Sequence, residues 1–160
     1  MKKTILKALG LVSFVAATVT TTAYAAGNDS ITVTVKPGSV FVLSTGKGLD
    51  VGEYFSLTFG DFKGHTGIGI TNRLTSVQYS VATYPAAISD QPQMCYFRPY
   101  SNTPIQCVDV AAGSTGTTTA FNNQQFGPGA RITITHKTTG TPGHNLQPSG
   151  PETVVFNYSY

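Results

Sequence analysis

The sequence predicts an all-β sandwich of short antiparallel strands, and three observations carry that expectation. After residue 26, Thr, Val, Ile, Tyr and Phe dominate, and their branched or flat side chains suit a pleated surface better than a helix. Apolar residues there recur at every second position in short runs, the period of a strand with one buried face. Gly (17) and Pro (9) recur every few residues of the 160, which interrupts any helix early and supplies turns.

The elements follow in order. Ile31-Thr32-Val33-Thr34-Val35 alternates, and Lys36-Pro37-Gly38 turns the chain. Val40 to Leu43 is a short apolar run, and Tyr54 to Phe59 alternates through Phe55, Leu57 and Phe59. Thr66 to Thr71 alternates Gly67 and Gly69 with Ile68 and Ile70, the pattern of a strand with a close backbone neighbour. Leu74 to Val81 alternates through Val77 and Tyr79. Met94 to Arg98 and Ile105 to Val110 form the arms of one hairpin. Arg131 to Thr135 alternates through Ile132 and Ile134, and Thr153 to Tyr160 puts Val154, Phe156, Tyr158 and Tyr160 on one face. The Thr-rich stretch 113–119 and the Pro/Gly stretch 138–151 read as surface loops.

The first 25 residues read as a secretory signal. Lys2 and Lys3 supply the charged start, Ala8 to Ala17 the apolar stretch, and Ala23-Tyr24-Ala25 the small-x-small cleavage site. That apolar stretch is about ten residues, whereas a spanning helix needs about twenty. The division is therefore residues 1–25 as signal, 26–36 as an N-terminal segment and 37–160 as the sandwich domain. The expected destination is the periplasm, then the cell surface or the exterior. Losing Lys2, Lys3 and Lys7 leaves seven basic against seven acidic residues, so the mature chain carries no electrostatic footprint for nucleic acid.

Two cysteines, Cys95 and Cys107, predict one disulfide in an exported chain. Their spacing fits neither a C-x-x-C redox pair nor a zinc pattern. Catalytic chemistry finds no local support. His65, His136 and His144 are the histidines, and none stands at a metal-ligand spacing. No G-x-S-x-G turn marks a nucleophile. Carboxylates are scattered, although they could still meet in space. The expectation is a protein without enzymatic activity and without a cofactor.

The termini carry the functional hint. A short polar start runs into the strand Ile31, Val33, Val35, and the chain closes on Val154, Phe156, Tyr158 and Tyr160. An extended segment of this kind can complete a neighbour's open sheet through main-chain hydrogen bonds and alternate side chains.

This layout resembles the subunits of chaperone–usher fimbriae, and its start is similar to the Psa/Myf-type fimbrial antigens. The resembling residues are Val33-Thr34-Val35-Lys36, Gly38 and Phe41, with a looser echo in Phe55, Leu57, Gly60-Asp61 and His65. They span about a quarter of the chain, a short match. The sequence departs from the pilin pattern at its penultimate residue, Ser159, and in its mid-chain cysteine pair. The resemblance implies an immunoglobulin-like sandwich completed by a donor strand from another subunit. It implies Ile31, Val33 and Val35 as donor side chains and Val154, Phe156, Tyr158 and Tyr160 as the assembly strand. The implied partners are other copies in a fibre, a periplasmic chaperone and an outer-membrane usher.

A ligand surface is a separate expectation. Between the cysteines the chain reads Tyr96-Phe97-Arg98-Pro99-Tyr100-Ser101-Asn102. Tyr96, Arg98 and Tyr100 are the candidate receptor contacts, suited to a host surface glycan or a lipid head group by stacking. Strand alternation favours the other reading, in which Tyr96 and Phe97 are core-facing hairpin residues. The competing reading of the whole chain is a freestanding secreted binding module or toxin-like sandwich, which would pack Ile31, Val33 and Val35 into its own core.

Overall fold

The computed structural model describes residues 27–66 and 71–160. The signal segment and the expected strand around Ile68 and Ile70 lie outside the described residues. Within them the strands are β1 (Asn28–Val35), β2 (Val40–Phe41), β3 (Val51–Ser56), β4 (Arg73–Ser80), β5 (Ser89–Phe97), β6 (Gln106–Asp109), β7 (Thr115–Thr118), β8 (Arg131–Thr139), β9 (Asn145–Leu146) and β10 (Glu152–Ser159). They form two antiparallel four-stranded sheets, β1-β10-β4-β7 and β3-β8-β5-β6, with a small β2-β9 pair.

The two inner faces meet in one core. Ile31, Val77, Val154 and Phe156 enter it from the first sheet, and Phe55, Met94, Tyr96, Ile132 and Ile134 from the second. Alternation therefore decides burial as expected: along β10, residues 152, 154, 156 and 158 are buried and those between them only partly so. A second, smaller cluster of Val40, Val42, Tyr84 and Leu146 closes the far end.

The N-terminal strand is the informative one. β1 runs antiparallel to β10 of its own chain, with Ile31 opposite Phe156 and Val33 opposite Val154. Gly27 and Tyr160 exchange both backbone hydrogen bonds at 3.0 Å. Ile31 is buried, and Val33 and Val35 pack half-buried against the core. In the single chain β1 thus fills the edge of β10 itself. The local reason is register: the inward residues of β1 fall opposite those of β10, so one strand covers apolar edge surface that would otherwise meet water.

Four expectations are corrected. The stretch 113–119 contains β7, an edge strand on β4. Its Thr-Gly-Thr-Thr sequence lacks apolar residues because an edge strand needs few, while threonine suits the pleat. The stretch 138–151 holds the end of β8 and all of β9. The strand through Phe55 stops at Ser56, and Phe59–Phe62 is a 3-10 turn. Asp61 caps that turn by accepting from the Thr58 backbone N–H at 2.6 Å and from the Thr58 hydroxyl at 2.8 Å. Finally, β5 begins at Ser89, not Met94, and carries Pro92 inside the strand. The hairpin itself holds, with Cys95 directly opposite Cys107 and the two joined by a disulfide.

Candidate functional site

Polar chemistry collects at the two ends of the sandwich. One end gathers the start of β4, the chain after β5, the 3-10 turn and the loop from β7 to β8. That loop is anchored at several points: Asn123 N–H donates to Leu74 O (3.0 Å), Phe126 N–H to Asn72 O (3.4 Å) and Gly129 N–H to Leu57 O (2.8 Å). From below, the hydroxyl of buried Tyr96 donates to Gln125 O at 2.7 Å. Burial raises the Tyr96 pKa, with Arg98 pulling the other way, so the hydroxyl stays protonated and able to donate.

Over this floor lie two adjoining depressions that share Asn72 and Gln125. The first, ≈ 280 Å³, is lined by Phe59, Tyr100, Phe126 and Pro99 among others. The second, ≈ 390 Å³, is lined by Arg73, Arg98, Asn123 and Gln124 among others. Phe59 and Tyr100 are exposed large rings (67 % and 77 %). Tyr100 adopts φ 58°, the left-handed region, as does Asn123 at 60°. For a residue with a Cβ that conformation costs about 1–2 kcal/mol. The Tyr100 ring lies directly on Gly129, whose own φ is +83°; a Cβ there would stand 2.9 Å from the ring. A glycine is required at 129 both for its backbone angle and for that close approach.

Asn72 occupies the seam between the depressions. Its residue is 6 % exposed. Its Nδ2 donates to His65 O at 3.0 Å, which identifies the other amide atom as oxygen. That Oδ1 has no hydrogen-bond partner among the described residues. Arg98 is exposed and reaches Gln124 Oε1 at 3.4 Å.

The opposite end holds a buried triad. His136 Nδ1 lies 2.7 Å from Asp90 Oδ1, and Nε2 lies 2.8 Å from Glu152 Oε1. The side chains are 1 %, 6 % and 0 % exposed. The carboxylates have backbone donors as well, Ala82 N–H to Glu152 at 3.0 Å and Tyr84 N–H to Asp90 at 3.1 Å. Tyr84 sets its ring edge-on to the imidazole and donates its hydroxyl to Gly38 O at 2.6 Å. Burial, helped by the charges of Glu152, Asp90 and Glu53, pushes the Tyr84 pKa up to about 12. For His136, burial opposes a charged ring, but hydrogen bonds to Glu152 and Asp90 and their negative charge outweigh it and raise its pKa. The raised pKa favours the doubly protonated ring, an imidazolium that donates to both carboxylates and ties β5, β8 and β10. Both ring nitrogens are engaged, which leaves none for a substrate. Among the described residues no three of His, Cys, Asp and Glu are placed to hold a metal ion.

Of the residues expected from sequence, Arg98 and Tyr100 stand together on the first end. Tyr96 does not join them at the surface. It is fully buried because, in β5, it shares the inward phase of Met94, and its role is beneath the floor. Val154, Phe156 and Tyr158 face the core, while Tyr160 is half-buried and stacks on His65 at 3.8 Å. His144 is exposed. Sequence reasoning missed Asn72, Phe59 and the triad. The triad had a signal: His136 is in phase with Ile132 and Ile134, Glu152 with Val154, and Asp90 with Met94.

No family model matches the chain, and neither does any curated protein. Among solved structures it is similar to the crystal structure of FlhE, with 14% sequence identity and a TM-score of 0.54, over 82% of this chain and 97% of that one. At that identity the likeness speaks for the fold alone.

Proposed function

We propose that this chain is an exported, self-completed β-sandwich that works by binding a ligand at the loop end carrying Arg98 and Tyr100, and that it is not an enzyme. The observation that carries the reading is the pair of adjoining depressions that meet over buried Asn72 and Gln125, one bordered by the exposed rings of Phe59 and Tyr100 and the other by the guanidinium groups of Arg73 and Arg98. Binding sites combine such apolar platforms with a few convergent polar groups. The cis pairing of β1 favours a freestanding module, since the strand that would serve another copy already fills its own edge.

The fimbrial reading remains as a second proposal, favoured by one observation. β1 is the outermost strand of its sheet and begins the described chain, so it can leave β10 and pair with another copy without rethreading. In that reading Ile31, Val33 and Val35 are donor side chains, β10 is the assembly strand, and a periplasmic chaperone and usher are the partners. Size-exclusion chromatography of residues 26–160 and of Val33→Asp separates the two. A binding module runs as a monomer, and the charge at half-buried Val33 lowers its own stability. A fibre subunit forms detergent-resistant polymers that Val33→Asp abolishes while the monomer stays folded; that result would replace the first reading with the second.

A further inference from the structure

The groove at the loop end has a polarity that narrows its ligand. One depression presents the exposed faces of Phe59 and Tyr100, and the other presents Arg73 and Arg98, with no carboxylate among the described residues lining either. Asn72 lies buried beneath the seam that joins them. A ligand that satisfies both must lay a flat, weakly polar face on an aromatic ring and carry a negative group toward the guanidiniums.

We infer that the site takes a saccharide whose ring carries a carboxylate, such as a uronic or sialic acid unit; this rests on the binding reading above. The C–H face of a sugar ring packs on Tyr100. The carboxylate accepts from Arg98, whose planar fork matches its two oxygens. A cationic head group is disfavoured, because both charged side chains lining the site repel it. Among the described residues Arg98 holds only a long 3.4 Å contact to Gln124 Oε1, so it can turn to a ligand. Tyr100 is preset rather than recruited: its left-handed backbone and its seat on Gly129 hold the ring in place before binding.

The test is a 15N–1H NMR titration of the mature, disulfide-bonded chain with sialyllactose and with a glucuronate-containing hyaluronan tetrasaccharide, using lactose and sodium acetate as controls. At least one acidic saccharide should shift the amides of Asn72, Tyr100, Gln125 and Gly129. Lactose should bind at least tenfold more weakly, and Arg98→Gln should remove most of that preference. Tyr100→Asn, which keeps a residue tolerant of positive φ, should abolish binding with the rest of the spectrum unchanged. Equal shifts with lactose, the same shifts with acetate alone, or no shift at the groove would overturn the assignment of an acidic saccharide. Chromatography of the same sample keeps the two readings apart: strand-exchanged polymers overturn the binding-module reading, and a monomer that ignores these sugars overturns only this inference.

Discussion

Replacing His136 with leucine removes a cation from between two buried carboxylates. Asp90 and Glu152 stay where they are, at 6 % and 0 % side-chain exposure, and each loses its imidazole partner. Breaking a buried charged pair in this way costs about 3–5 kcal/mol. Two backbone donors survive, from Tyr84 to Asp90 and from Ala82 to Glu152, which places the expected loss near the lower end, about 3 kcal/mol. For a domain of this size that lowers Tm by roughly 10 °C. The pH dependence is the sharper signature. The folded ring holds its proton more tightly than an unfolded histidine, whose pKa is about 6.5. Between the two pKa values the folded state binds more protons, so stability falls as pH rises. The contribution is complete below about pH 6.5 and is lost as pH climbs through the raised folded value. Thermal melts and urea titrations of both proteins at pH 6 and pH 9 measure it. The parent should lose stability over that range by an amount that His136→Leu does not share. A variant within about 1 kcal/mol of the parent at pH 6, or an unchanged pH slope, refutes the imidazolium.

Two other predictions follow from the hairpin and the groove. Replacing Cys95 and Cys107 together with alanine should lower the urea-derived stability by about 3 kcal/mol, the loop-closure entropy of a bridge this short, whose cysteines lie 12 residues apart. Gly129→Ala should cost on the order of 1 kcal/mol by thermal melting, from its positive φ. It should also displace the Tyr100 ring, seen as lost nuclear Overhauser contacts between that ring and residue 129.

The sandwich was legible because its signal is local. Alternation in Ile31-Val35, Ile132-Ile134 and Val154-Tyr158 reports directly on which side chains face inward, and the observed burial of Ile31, Ile132, Ile134, Val154, Phe156 and Tyr158 follows it. The Cys95–Cys107 hairpin was legible because two cysteines have one pairing. The edge strand β7 was not, because Thr-Gly-Thr-Thr buries too little apolar surface to alternate visibly. The candidate site was half legible: Arg98 and Tyr100 lie in one turn, but Asn72, Phe59 and Gly129 reach it from three other segments.

By itself the amino-acid sequence determined the fold class, the inward phase of most strands and the disulfide, since each depends on neighbours two residues away or on a count. The tertiary structure alone decided the rest. That Ile31, Val33 and Val35 stand opposite Phe156, Val154 and Glu152 is a pairing between segments more than a hundred residues apart. Whether His136 is a bland histidine or a buried cation depends on Asp90 and Glu152, which lie 46 and 16 residues away and meet it only when both sheets pack. Strand periodicity records which side of the sheet a residue faces. It carries no information about which polar residue waits on the other side, because that partner is chosen by sheet order and not by spacing along the chain.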